Sequence, residues 1–222
     1  SEDFSLSIWF YRDTATTWDT LINKRTSLSA ADAGYSLILS DSLDTVVFEV
    51  SDGVDEYVLY SGTTFTTPGW HHAVITWDQD TESNIQIYVD GIVDSTSRGG
   101  TLANIGSLAN ALSLYIGSQG AASHHFDGKL DEARMYDRAL SAEDVRSLYR
   151  LSVPSSVDTG LKGYWSFNAQ DMNGSTAYDR SGVGNIGTLT NSPTKAVGPV
   201  GQALSFDGTN DYVHLGNNGL GT

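Results

Sequence analysis

Alternation of apolar and polar side chains runs through most of the chain. Phe4, Leu6, Ile8 and Phe10 keep a two-residue period, as do Val46, Phe48 and Val50 in "TVVFEVSDG", Ala73, Ile75 and Trp77 in "WHHAVITWD", and Ile85, Ile87 and Val89 in "NIQIYVDG". Leu112, Leu114 and Ile116 continue the series. Successive side chains of a strand point to opposite faces, so each run sets one face on a core and the other toward water. Asp90-Gly91, between "IQIYV" and "IVDS", is a two-residue hairpin signal. About a dozen strands follow from this pattern. The architecture that accommodates them is all-β: a two-sheet antiparallel sandwich.

One segment changes period. "RALSAEDVRSLYRL" offers Ser141 as N-cap, Glu143 and Asp144 in the first turn, and Val145, Leu148 and Tyr149 at helical spacing. The spacing predicts one short helix near 141–150, packed on an edge of the sandwich. Residues 152–160, "SVPSSVDTG", read as a linker. A second strand-rich stretch follows in "LKGYWSF", "GQALSFDG" and "DYVHLG", interrupted by the glycine-rich "DRSGVGNIG".

Composition narrows the function classes. The 222 residues can bury a core without staples, and the absence of cysteine excludes disulfides, zinc ribbons and thiol nucleophiles. Twelve Lys and Arg against 27 Asp and Glu give a formal charge of −15, which opposes binding to nucleic acid or to anionic lipid. Charged residues are 18% of the chain, so its carboxylates are placed at particular points and do not coat helices. No apolar run reaches the ~20 residues of a membrane span. The profile is that of an extracellular, turn-rich β-protein without membrane insertion.

The quoted strands also carry a resemblance. In order, "FSLSIWFYRD", "WHHAVITWD", "IQIYVDGIVDS", "LYIGSQ" and "FDGKLDEARMYDRALSAEDVRSLY" resemble the laminin-G-like jelly rolls of the concanavalin A-like lectin and glucanase superfamily, over residues 1–151. The stretch from "LKGYWSFNAQDMNGSTAYDRSGVGNIGTLTNSP" to "GQALSFDGTNDYVHLG" resembles the beginning of the same family. The resemblance therefore implies a jelly-roll sandwich in circularly permuted order: 1–151 carry the later strands and the helix, 152–160 the linker, and 161–222 the family's first strands. Closure within one chain, a cut across a tandem array, and a domain-swapped dimer are the three ways to satisfy it.

"FDGKLD" at 126–131 is echoed by "FDGTND" at 206–211. By itself each Asp-Gly is a tight turn with an Asx-type hydrogen bond. In the resembled family the acid at the position of Asp131 helps to hold a structural calcium beside the strand "YWSFN", with Asn168 at a position often acidic in relatives. Calcium takes six to eight oxygens. Asp131, Asn168, Asp179, Asp207 and Asp211 are the candidates to supply them. No linear calcium loop is present, since Arg180 stands where "DMNG" would need its twelfth, acidic ligand.

The acid run E-x-D-x-x-E of laminarinase-type relatives is missing. Glu49 and Asp52 are three apart, and adjacent Asp131 and Glu132 alternate in direction, so neither pair faces one groove. His71 and His72 begin a strand and read as structural, with His72 toward the core and Trp70 near it. Gln119, Ser123, His124 and His125 lie in the loop after "LYIGS", where resembled lectins and pentraxins contact ligands; they form the candidate binding rim. Tyr11, Trp18, Tyr35, Tyr57 and Tyr60 are the candidate stacking platforms, Tyr35 foremost. The resulting expectation is a non-catalytic, extracellular recognition module for carbohydrate or a cell-surface glycan, monomeric or domain-swapped, with structural calcium. The alternatives are a spacer or protein-interaction repeat without a ligand pocket, and a glycoside hydrolase or lyase. An exposed aromatic cluster on a sheet face favours the first; a face filled by loops favours the spacer.

Overall fold

The structure is a computed structural model that describes residues 3–14, 18–120, 123–151 and 155–217. The first strands are β1 (Phe4–Arg12), β2 (Asp19–Asn23), β3 (Gly34–Leu39), β4 (Thr45–Ser51), β5 (Glu56–Thr64) and β6 (Trp70–Trp77). Then come β7 (Gln86–Val89), β8 (Ile92–Val93), β9 (Ser95–Gly99), β10 (Tyr115–Ile116) and the long β11 (Asp127–Tyr136). After helix α1 (Ala142–Tyr149) follow β12 (Leu161–Trp165), β13 (Met172–Asn173), β14 (Thr176–Ala177) and β15 (Gly187–Thr190). The last are β16 (Thr194–Val197), β17 (Gln202–Asp207) and β18 (Tyr212–His214).

These strands form two antiparallel sheets. One runs β16-β17-β11-β1-β6-β7-β8, with β12 also paired to β11; the other runs β13-β14-β15-β18-β10-β2-β3-β4-β5-β9. The alternating residues meet between them: Leu6, Ile8 and Phe10 from β1 face Leu37, Phe48 and Val50, all fully buried. Trp77 packs against Phe4, Phe48 and Tyr57 at ring separations of 6.3, 6.1 and 5.8 Å. Each such side chain contributes about 1.5–3 kcal/mol by leaving water, before the entropy of ordering is subtracted.

The later strands complete both sheets. Residues 127–130 of β11 pair with β17, and residues 133–136 of the same edge pair with β12. The eight-stranded sheet therefore forks at Asp131 and Glu132. Opposite the fork, three steps along β11, from Arg134 to Asp131, match two along β1, from Ser7 to Trp9, so β11 carries a bulge. Glu132 takes φ +53 there. The bulge replaces the simple alternation expected of Asp131 and Glu132.

The two FDG motifs lie side by side, since Asp127 and Asp207 are register partners and Gly208 N–H donates to the Phe126 carbonyl at 3.1 Å. Phe126 and Phe206 are core, with rings 6.4 Å apart. Gly128 has φ +149, and a Cβ there would fall 2.0 Å from the Tyr11 carbonyl of β1. Only glycine lets β11 approach β1 this closely.

Helix α1 has the expected cap: Ser141 Oγ accepts from Asp144 N–H, and the Asp144 carboxylate accepts from Ser141 N–H. It covers the outer face of the eight-stranded sheet, where Val145 and Leu148 pack with Val74, Tyr88, Tyr136 and Leu140. Val157, from the segment read as a linker, is buried in this second core, so residues 155–158 form a packed 3-10 turn. His72 is buried on this outer face, stacked on Trp9 at 5.1 Å, with its Nε2 2.9 Å from Ser7 Oγ. Trp70 packs edge-on against Tyr11. Burial pushes the His72 imidazole down to about 3.

Candidate functional site

Among the described residues no α-helix covers the outer face of the ten-stranded sheet, and its middle carries a row of rings. Ile116 and Val213 point into the core, so their neighbours Tyr115, Tyr212 and His214 point out. Tyr115 is the register partner of His214, and their rings lie 5.1 Å apart; Tyr115 meets Tyr212 edge-on at 5.7 Å. His125 stacks on Tyr212 at 6.3 Å. All four are half-buried. Thr188, exposed beside His214, extends the row with a polar side chain, while Asn23 beside Tyr115 is buried, its Nδ2 donating to the Arg25 carbonyl and its Oδ1 accepting from Ser36 Oγ.

The expected rim borders this row. Gln119 and Ser123 form an isolated bridge, with Gln119 N–H donating to the Ser123 carbonyl at 3.1 Å. The carbonyl of His124, which has φ +50, accepts from Thr20 N–H at the start of β2. Gln119 Nε2, His124 Nδ1, His125 Nδ1, Thr20 Oγ1 and Asp211 Oδ1 are buried polar atoms without a partner. Burial holds both imidazoles below the ordinary histidine value; Asp41 opposes this at His124, and the Asp211 carbonyl and Asp207 carboxylate at His125. Both rings are therefore neutral near pH 7.

Over β3 and β4 this face is buried, at Ser36, Ile38, Val47 and Glu49. Arg25 is buried there, donating to the Glu49 and Glu56 carboxylates at 3.4 and 3.2 Å and to the Ser29 and Asp32 carbonyls. Burial raises the Glu49 carboxyl to about 7. Asp52, three residues on, accepts from the N–H groups of Val54, Asp55 and Gly106, in keeping with the expectation that the two carboxylates do not share a groove.

The five expected metal ligands do not converge. Asp131 and Asn168 do face one place: a Cβ on Gly198 would lie 2.2 Å from Asp131 Oδ2, and one on Gly201 2.3 Å from Asn168 Oδ1. Both side chains thus reach the turn between β16 and β17, where Asn168 Oδ1 accepts from Gln202 N–H and Asp131 Oδ2 from Val200 N–H. Burial, reinforced by the Glu132 charge, raises the Asp131 carboxyl to about 8. Asp179 sits elsewhere, accepting from the N–H groups of Tyr164, Ser181, Gly184 and Asn185. Asp207 and Asp211 close the turn after β17, at the platform end. Among the described residues no three His, Asp or Glu side chains are grouped to hold a metal ion.

Glu132 makes a separate network. Arg134 donates to it at 2.5 Å and lies 4.0 Å over the Tyr164 ring, while the Tyr164 hydroxyl donates to both Glu132 oxygens at 3.0 and 2.9 Å. Both carboxylate oxygens of Glu132 are thus engaged within the protein.

Tyr35 is corrected outright. It is 0% exposed, 4.8 Å from Phe4 inside the sandwich, because its strand neighbours Gly34 and Ser36 take the outward positions. Tyr57 is equally buried; Tyr11, Trp18 and Tyr60 are half-buried but stand outside the ring row.

Residues 1–146 match the family profile described as the Concanavalin A-like lectin/glucanases superfamily. The chain belongs to this superfamily. Concanavalin A-like architecture is what the two-sheet sandwich with one short helix displays. A candidate carbohydrate-binding protein from Bacteroides ovatus aligns with a TM-score of 0.62 at 16% identity, over 83% of this chain and 51% of its own. The chain thus spans about half of that protein's length. The CBM40 of Ruminococcus gnavus IT-sialidase aligns with a TM-score of 0.51 at 14% identity, over 67% of this chain and 83% of its own. The same domain bound to alpha2,3 sialyllactose gives 0.51, 14%, 67% and 82%. At such identities the likeness is one of fold. No curated protein matches in sequence.

Sequence reasoning missed Tyr115, Tyr212 and His214 in this concanavalin A-like chain. The signal was available in "SLYIG" and "DYVHLG", where Tyr115 and His214 each lie between apolar residues of the inward set and Tyr212 stands next to Val213 of that set. What it lacked was the pairing of β10 with β18, which brings a mid-chain segment beside one almost a hundred residues later.

Proposed function

We propose that this concanavalin A-like domain is a non-catalytic, extracellular recognition module that binds carbohydrate on the outer face of its ten-stranded sheet, for adhesion or substrate targeting within a multidomain surface protein. The row His125–Tyr212–Tyr115–His214 carries this reading. Half-exposed rings flanked by polar side chains offer a sugar an apolar face to stack on and hydrogen-bond partners at its edge. The carboxyl groups support the non-catalytic part: Glu49 faces Arg25, Asp52 caps a turn, and Glu132 is fully engaged. A spacer without a pocket is the second reading, favoured by the covered region around Arg25.

The domain assignment is a proposal of the same kind. Residues 161–217 complete the sheets of residues 1–151 in circularly permuted order, as a monomer. Support comes from a family match limited to residues 1–146 and from β12 and β17 pairing with β11.

A structural calcium ion is proposed at the fork, held by Asp131 and Asn168 with carbonyls of the 198–201 turn. Two glycines open that turn to the side-chain oxygens, and a raised carboxyl without a nearby ion pair of its own gains most from a cation. Its contribution would be to tie β16 and β17 to β11.

Affinity electrophoresis through immobilised polysaccharides tests the central reading. Wild-type protein is expected to be retarded, and Tyr212→Ala to weaken retention about tenfold, about 1.4 kcal/mol. Migration unaffected by any polysaccharide would remove the proposal.

A further inference from the structure

We infer that the ring platform selects uncharged, hydroxyl-rich glycans and discriminates against those bearing carboxylates. The inference rests on the carbohydrate reading of that platform and adds the chemical class of its ligand.

Three side chains beside the rings are more than nine-tenths buried and each retains an unpartnered polar atom: Thr20 Oγ1, Gln119 Nε2 and Asp211 Oδ1. His124 Nδ1 and His125 Nδ1 add two more. The set mixes donors with acceptors. A sugar hydroxyl is both at once, so a polyol can serve an amide N–H and a carboxylate oxygen from neighbouring positions. Hydroxyl donation to Asp211 would be charge-assisted. A sugar carboxylate offers acceptors only, and brings its charge to a partly desolvated site.

The surrounding charge acts in the same direction. Asp41 and Asp207 act electrostatically on His124 and His125, and Asp211 stands beneath the turn of Asp207. Asp13, Asp19, Asp44 and Asp127 occupy the same end of the sandwich. The cations there are ion-paired: Arg12 with Asp19 and Asp44, Lys129 with Asp13. With a chain charge of −15 behind it, the platform presents a negative potential to any approaching anion.

Isothermal titration with lactose, arabinotriose and cellotetraose against 3′-sialyllactose, 6′-sialyllactose and a galacturonate trisaccharide is the test, run at low and at physiological salt. At least one neutral probe is expected to bind about tenfold or more tightly than every acidic one, with the gap narrowing as salt screens the field. The double variant Asp41→Asn/Asp207→Asn should narrow it further, both side chains being exposed and the amide oxygen at 207 able to keep the hydrogen bonds from the Thr209 and Asn210 N–H groups. An acidic probe that binds as tightly as the neutral ones, and loses that binding in Tyr212→Ala, overturns the selectivity while sparing the platform. Absence of binding by all six probes, or binding indifferent to Tyr212→Ala, overturns the platform and the selectivity together.

Discussion

Asp131 shows how position alone changes a residue's chemistry. Its carboxyl is raised from 3.8 to about 8 by burial at the fork and by the charge of Glu132. A folded value above the unfolded one means stability that is complete below about pH 4 and is lost as pH rises toward 8. Asp19, raised to about 6, and Glu49, raised to about 7, act in the same direction, whereas His72, depressed to about 3, favours folding above its ordinary value. The difference between Asp131→Asn and wild type isolates the one group. Melting curves in EDTA should show the variant gaining on wild type from pH 4 to pH 8, and added calcium should raise wild type but not the variant; parallel curves would remove both claims. At Tyr35 the expected outcome is different in kind. Tyr35→Ala should cost about 3–5 kcal/mol in urea titration, as for large aromatic truncations in cores. The sequence left Tyr35 open because a tyrosine in an alternating strand fits either face, and only the placement of Leu37 and Leu39 against β1 decides which.

At the scale of elements, whatever depends on near neighbours could be read in advance. The period-2 runs, the Asp90-Gly91 hairpin and the Ser141 cap concern residues a few positions apart, and the structure has each of them. Ser141→Ala should lower stability by about 1 kcal/mol, seen as a shifted urea midpoint with an unchanged slope. The bulge at Glu132 and the fork beside it were not legible. Both arise where two strands, β17 and β12, share one edge of β11 opposite β1, and nothing within "KLDEAR" records these partners. The ring row was hidden for the same reason, while the rim at 119–125 was found because a single loop carries it.

For the whole molecule, closure is the governing fact. Residues 161–217 place Trp165, Phe167, Leu204, Phe206, Val213 and Leu215 in the main core, and cover the open edge of β11. A fragment of residues 1–151 should therefore lack a cooperative melt and bind a hydrophobic dye; a sharp transition close to that of the intact chain would contradict the single-domain reading. The same closure creates the platform, since Tyr115 comes from one part of the chain and Tyr212 and His214 from the other. The most direct measurement is a glycan microarray probed with wild-type protein and with Tyr115→Ala/Tyr212→Ala, whose half-exposed positions should leave the melt nearly unchanged. The account predicts signal on a set of neutral glycans for wild type and its loss in the variant; an array silent for both, or equally bright for both, would contradict it.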